Sequence, residues 1–239
     1  MSKFWSYISN GQYSVGCTGQ TVWLYDNNGA VLSKFNDLPY AYLPVFSPDG
    51  KLLVVKSSEG RMAVYSLGDR KLIKKFRYSK VDAAQDNNCC FSPDSKRLYN
   101  IEQYPEVGMT RLSVYNTEDF TVKTRISDID QKIILNYIEY DQLTDRYYLL
   151  GYERNNQLIA DQFFVTFLNG GNLADKRYIP EKEWWFLLGF KALQGMGFTE
   201  KAYHWSYFGS KRLAPGGKMM TLEALKEAAF RLADYYPTE

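Results

Sequence analysis

Apolar residues along this chain come in short alternating runs, separated every few residues by turn chemistry. Lys3 to Ile8, Gln12 to Cys17, Thr21 to Tyr25 and Ala30 to Phe35 each read as a strand. Period-two alternation bounded by Gly, Asn, Asp and Ser is the signature of half-buried strands. The turns Ser9-Asn10-Gly11, Thr18-Gly19-Gln20 and Asn27-Asn28-Gly29 separate them. Asn-Gly favours a tight hairpin, because type I′ turns require two residues with positive φ. Short loops make neighbouring strands antiparallel.

The pattern then repeats. Val45-Phe46-Ser47-Pro48-Asp49-Gly50-Lys51-Leu52-Leu53 is matched by Cys90-Phe91-Ser92-Pro93-Asp94-Ser95-Lys96-Arg97-Leu98, a spacing of 45 residues. Pro presets φ within the turn and Gly closes it. Each copy continues into a strand ending Val-Tyr, Ala63-Val64-Tyr65 and Ser113-Val114-Tyr115, then into a further strand, Lys71 to Arg77 and Phe120 to Ile126. A looser copy runs from Ile133 to Ile179, with Arg146 to Leu150 and Phe163 to Phe167 as strands and Asn169-Gly170-Gly171-Asn172 as a turn. Four strands in about 40–45 residues is one propeller blade.

The Phe-Ser-Pro-Asp-Gly hairpin followed by a Val-Tyr strand resembles the WD40-like and YVTN-type β-propeller superfamily, over residues 1 to about 180 and best over 43–126. The resemblance implies a mainly β, propeller-like array of four to five four-stranded antiparallel blades with a C-terminal α-helix. The blades fall at about 1–36, 43–77, 87–126 and 133–179. Strict WD40 features are missing: there is no Gly-His pair, and Leu24-Tyr25-Asp26 is the nearest approach to a Trp-Asp strand end. The tetrad of hydrogen bonds typical of strict WD40 blades is therefore not expected.

From Pro180 onward two readings compete. Pro180 followed by Glu181 and Glu183 fits a helix start, with acids in the first turn. Trp184 to Phe190 also fits an inner strand, and the reading favoured here is a fifth blade over 183–214. Residues 215–239 read as a loop and an amphipathic helix that Thr221 caps, that runs to about Tyr235 and that Pro237 stops. Leu222, Leu225, Ala229, Leu232 and Tyr236 share its apolar face, which is expected to pack on the parent domain.

Composition adds little to this pattern. Aromatic residues reach 16%, with 20 Tyr and 14 Phe, which favours strands. With 29 basic and 27 acidic residues the net charge is +2, so no nucleic-acid or membrane partner is expected from bulk attraction. There are three cysteines, which read as buried free thiols in a reducing compartment, hence a cytoplasmic location. No apolar leader precedes Tyr7, and no run is long enough to cross a membrane.

Candidate chemistry is sparse. The single His204 lies in an aromatic run and reads as structural or surface-exposed. No Cys-x-x-Cys or His-x-x-x-His spacing points to zinc. Gly195-Met196-Gly197 and Gly216-Gly217-Lys218-Met219 fail the dinucleotide and P-loop patterns and read as turns. No catalytic residue, metal or cofactor is assigned. Arg70, Lys71, Lys74, Lys75, Arg77 and Lys80 form a basic run on an outer edge strand, where Lys discourages sheet-to-sheet pairing. The leading functional expectation is a non-catalytic interaction or scaffold module with a protein partner. By resemblance to propellers, binding falls on the loops that enter each blade and those that join its second and third strands. Within these the candidate binding residues are Tyr40, Tyr42, Tyr104, Asp128 and Arg154, since aromatic and Arg side chains are common anchors. Two alternatives stand beside it. One is a hydrolase-like enzyme using Asp128, Asp130, Glu139 and Asp141 at a propeller funnel. The other is a structural subunit that completes its ring by homodimerisation, through the helix from Thr221.

Overall fold

The computed structural model describes residues 4–79, 88–104, 109–126, 132–205 and 220–236. Among these the chain is mainly β, with four antiparallel sheets in sequence order. Blade 1 comprises β1 (Ser6–Ser9), β2 (Tyr13–Cys17), β3 (Val22–Asp26) and β4 (Val31–Phe35). Blade 2 comprises β5 (Ala41–Phe46), β6 (Leu52–Ser57), β7 (Arg61–Ser66) and β8 (Lys71–Arg77). Blade 3 comprises β9 (Cys89–Phe91), β10 (Arg97–Tyr104), β11 (Met109–Asn116) and β12 (Val122–Ile126). Blade 4 comprises β13 (Ile133–Asp141), β14 (Arg146–Arg154), β15 (Ala160–Asn169) and two short outer strands, β16 (Asn172–Leu173) and β17 (Arg177–Tyr178). Each blade is an up-and-down meander, and its first strand faces the centre.

The repeated motif forms one repeated device. Ser47 Oγ donates to Asp49 Oδ1 at 2.6 Å, and that oxygen accepts the Lys51 N–H at 3.1 Å. In the next blade Ser92 Oγ donates to Asp94 Oδ1 at 2.6 Å, which accepts the Lys96 N–H at 3.0 Å. Gly50 takes φ 69° and its counterpart Ser95 takes φ 60°. A left-handed serine is strained where glycine is free. The reason for serine is visible across the blade boundary: Ser95 Oγ accepts the Asp49 N–H at 3.0 Å. The hydroxyl ties one turn to the preceding one.

The Val-Tyr strands make the second joint. Tyr65 stacks on Phe35 of the preceding blade at 4.2 Å, and Tyr115 packs against Phe76 of its preceding blade at 5.4 Å. The third-to-fourth strand register shifts at Tyr25, Tyr65 and Tyr115 alike. Three buried apolar clusters fill the interfaces between successive blades. The basic run belongs to the same joints: Lys74 Nζ donates to the Asp119 carbonyl at 2.5 Å and Lys75 Nζ to the Asp37 carbonyl at 3.1 Å. Lys74 ties blade 2 to blade 3, and Lys75 holds the segment that leads from blade 1 into blade 2.

Among the described residues the expected fifth blade over 183–214 does not form. The stretch from 181 is helical: α1 spans Glu181–Gly195 and α2 spans Glu200–Trp205. Residues 206–219 lie outside the described part. Glu181 and Glu183 occupy the first turn of α1, where the helix dipole favours acids. Trp184, Phe186, Leu187, Leu188, Phe190 and Leu193 are all buried. A helix that is apolar on nearly every side shows no clear stripe, so its periodicity cannot be told from that of a buried strand. It packs its core on blade 4, with Trp184 edge-on to Tyr152 at 5.6 Å and beside Phe163 at 5.0 Å.

The expected long C-terminal helix is also shorter. Thr221 caps it, its Oγ1 accepting the Ala224 N–H at 3.2 Å, but α3 covers only Leu222–Glu227. The backbone is extended at Ala228 (φ −78°, ψ 146°), and a 3-10 turn follows at Leu232–Tyr235. The break lets Phe230 pack edge-on against Phe186 and Phe190, each at 4.9 Å. Ala229, assigned to the apolar face, is exposed, whereas Leu222, Leu225 and Leu232 enter the core on blade 4.

The helical segment also reaches blade 1. Tyr7 N–H donates to the Met196 carbonyl at 3.1 Å, and Thr199 Oγ1 donates to the Trp5 carbonyl at 2.6 Å. Gly197 takes φ 70° at this seam, where a Cβ would stand 1.8 Å from the Tyr7 carbonyl oxygen. Among the described residues, the helical segment joins the fourth blade to the first.

Candidate functional site: loop face and central cavity

Among the described residues, the loop entering blade 2 and the turns joining β2 to β3, β6 to β7 and β14 to β15 lie at one end of the sheets. The loop entering blade 2 is pinned at several points. Lys75 Nζ holds the Asp37 carbonyl, Ser57 Oγ donates to the Pro39 carbonyl at 2.6 Å, and Ser58 N–H donates to the Tyr40 carbonyl at 3.3 Å. Ala41 N–H donates to Gly19 of blade 1 at 3.1 Å. Held this way, Tyr40 adopts φ 53° and presents a side chain that is 61% exposed.

Tyr42, two residues on, points elsewhere. The β5–β6 register shifts between Ala41 and Leu43, so Tyr42 is the bulged residue, and a bulge re-aims a side chain. Tyr42 is buried and lines the central cavity. Tyr104 ends β10 opposite Met109. Arg154 ends β14, its N–H donating to the Lys132 carbonyl at 2.9 Å, and is half-buried. Asp128 and Asp130 lie outside the described residues. The described candidates therefore belong to three different blades, and one of them, Tyr42, turns inward.

Exposed apolar side chains on the same end were not singled out from the sequence. The Asn155 side chain accepts the Gln157 N–H at 2.9 Å and the Ile159 N–H at 3.1 Å, closing a tight turn. Leu158, at φ 62°, is 53% exposed and Ile159 is 57% exposed. The signal was the Asn155-Asn156-Gln157 turn chemistry beside two apolar residues.

The central cavity, of about 340 Å³, lies between the first strands and α1. Ile8, Leu43, Val45 and Met196 make its apolar wall. Its polar elements are an ion pair and an amide clasp. Lys191 Nζ sits 2.5 Å from Glu139 Oε2, with the lysine side chain 4% exposed. The other oxygen of Glu139 accepts the Leu232 N–H at 2.7 Å. The Asn88 side chain accepts the Ile138 N–H at 2.8 Å and donates to the Ile138 carbonyl at 2.7 Å, lacing blade 3 to blade 4. Lys191 was missed in the sequence, although a lone cation inside the run from Trp184 to Leu193 was the available sign.

Two of the proposed funnel carboxylates hold the C-terminal segment. Glu139 binds α1 and the 3-10 turn. Asp141 takes a forked pair of bonds from Arg231, Nε at 2.7 Å and Nη2 at 2.9 Å, and this partner holds its carboxyl well below the usual range, at about 2. Burial pushes the Cys89 thiol up to about 11 and the Cys90 thiol up as well, so both stay protonated at neutral pH. Tyr137 is likewise raised by burial and then by Glu139. Among the described residues no group of three or more His, Cys, Asp or Glu side chains comes together to hold a metal.

No family model matches the chain, and no curated protein matches it. Solved structures do. Hydrazine synthase of Kuenenia stuttgartiensis superposes with a TM-score of 0.59 at 17% identity, over 76% of this chain and 50% of that one. The WD40 domain of Toxoplasma gondii coronin superposes with a TM-score of 0.54 at 13% identity, over 71% of this chain and 44% of that one. The chain thus spans half or less of the length of these structures. The shared property is the fold, a WD40-like propeller array, as the repeated hairpin motif implies.

Proposed function

We propose that this chain is a non-catalytic protein-interaction module whose partner docks on the loop face. The observation that carries this is Tyr40: an exposed aromatic side chain on a left-handed, non-glycine backbone that four hydrogen bonds to neighbouring strands and loops hold in place. Such conformations cost of order 1–3 kcal/mol and persist where the surroundings over-determine them, often at ligand clamps. A preformed Tyr loses little entropy on binding and is a frequent interface anchor. Leu158 and Ile159 extend the apolar surface on blade 4, and Tyr104 and Arg154 are the proposed further members of the set. The three free cysteines support a reducing, cytoplasmic setting.

The test is affinity capture with immobilised protein, followed by quantitation of any stoichiometric partner. Tyr40→Ala and Leu158→Ser are expected to abolish capture with unchanged thermal unfolding. Leu143→Ser, at an 80% exposed site at the other end of blade 4, is expected to leave it intact. Capture unaffected by both loop-face changes would refute the assignment. A second copy of the chain is one such partner, read by sedimentation at micromolar concentration.

A further inference from the structure

At the end opposite the loop face a groove of about 710 Å³ runs between blades 3 and 4. Its floor is aromatic: Tyr99 and Tyr147 pack at 4.3 Å between ring centres. Its rim is cationic. Lys96 comes from the first hairpin of blade 3, Lys123 from β12, Arg97 from the start of β10 and Arg146 from the start of β14. Lys96, Arg97 and Lys123 are exposed and Arg146 is half-buried.

Two carboxylates also line the groove, and both are engaged locally. Asp94 accepts from Ser92 Oγ and the Lys96 N–H, and Asp145 accepts from the Tyr140 hydroxyl at 2.5 Å. Among the described residues none of the four cations makes an ion pair. Arg97 hydrogen-bonds Tyr99, and Arg146 lies 4.5 Å over the Phe167 ring. Four cations against two acids leave an excess of two positive charges, as large as the net charge of the whole chain. The groove lining therefore carries a local excess of cations, of which the bulk charge gave no sign.

We propose that this groove binds an acidic, aromatic-containing peptide segment of a partner protein, at a site separate from the loop face. An extended segment alternates its side chains, so carboxylates meet the cationic rim while intervening apolar side chains meet Tyr99 and Tyr147. Complementary charge raises the encounter rate and selects against basic segments.

The experiment is fluorescence anisotropy with a fluorescein-labelled peptide of alternating Glu and Tyr, using the full chain. Saturable binding that weakens with added salt is expected. Lys96→Glu combined with Lys123→Glu is expected to weaken it about tenfold or more. Arg70→Glu combined with Lys71→Glu, in the turn before β8 and at its first residue in blade 2, is expected to leave it unchanged. Circular dichroism confirms that both variants fold, and Lys96→Gln with Lys123→Gln replaces the reversal if it does not. The proposal is overturned if the peptide shows no saturable binding, or if charge reversal in the groove has no effect. It is also overturned if a single-stranded oligonucleotide binds as tightly and responds to the same reversal, which would make the groove a phosphate-backbone site. Because neither Tyr40 nor Leu158 lies in the groove, failure here and failure of the loop-face reading are separable.

Discussion

Replacing Asp141 with Asn isolates the charge that clamps the C-terminal segment to blade 4. Asn keeps an oxygen for the Leu143 and Thr144 N–H groups, which Asp141 Oδ1 accepts at 3.1 and 2.9 Å, so the turn survives. What is lost is the charged half of the forked bond to Arg231. The carboxyl falls from its ordinary 3.8 to about 2 in the folded protein. At 1.36 kcal/mol per pH unit, that is an upper bound of about 2.4 kcal/mol. Arg231 is 37% exposed, so solvent screens the pair, and about 1–1.5 kcal/mol is the expected loss at pH 7. The sign follows from the depressed folded value. The stabilisation is fully present above the unfolded pKa near 4 and is lost as pH falls through about 2. Urea unfolding of both proteins, repeated from pH 7 to pH 2, reads the difference directly. The two midpoints should be well separated at neutral pH and converge between about pH 4 and 2. Equal stability at pH 7, or a gap that does not close in acid, would refute the argument that Arg231 is what holds the carboxyl down.

Three further outcomes are expected. Gly197→Ala should cost about 2–4 kcal/mol, because the new methyl meets the Tyr7 carbonyl and the backbone is left-handed; a change in urea midpoint equivalent to less than about 0.5 kcal/mol would remove the helix-to-blade-1 seam from the stabilising contacts. Ser95→Ala should lose about 1 kcal/mol with the hydroxyl that receives the Asp49 N–H, while Ser95→Gly regains most of it by relieving φ 60°; equal stability of the two variants would contradict the strain. Burial pushes Cys17 up to about 12 and Cys89 up to about 11, so an aromatic disulfide reagent at pH 8 should leave both unmodified until urea exposes all three thiols; rapid native labelling at either, located by peptide mapping, is the contrary result.

The candidate site was legible only in part. Of the candidate residues, Tyr40 is exposed in the loop before β5, while Asp128 lies outside the described residues. Tyr42, from the same loop, lines the interior instead, because a register shift turns it. A bulge depends on how two strands pair, and no single strand encodes it. Lys191 and Glu139 lie far apart in sequence and meet only when α1 crosses the first strand of blade 4. The groove between blades 3 and 4 gathers cations from four separate elements, each of which reads as an ordinary surface residue by itself.

What the sequence by itself determined is the unit. Local rules suffice for it: alternation sets the strands, Ser47-Pro48-Asp49-Gly50 and Ser92-Pro93-Asp94-Ser95 set the hairpins, and the Val-Tyr strands supply the tyrosines that stack between blades. What only the tertiary structure decided is how the array ends. Residues 181–195 are apolar enough to fill an interior as either strand or helix, and hydrophobicity is non-directional. The choice was made by the exposed core of blade 4, which α1 covers with Trp184, Phe186 and Phe190, and by Tyr7 and Trp5 of blade 1, which receive its C-terminal end. The same surroundings broke the last helix at Ala228, because placing Phe230 in that core and Arg231 on Asp141 outweighed one more turn of helix.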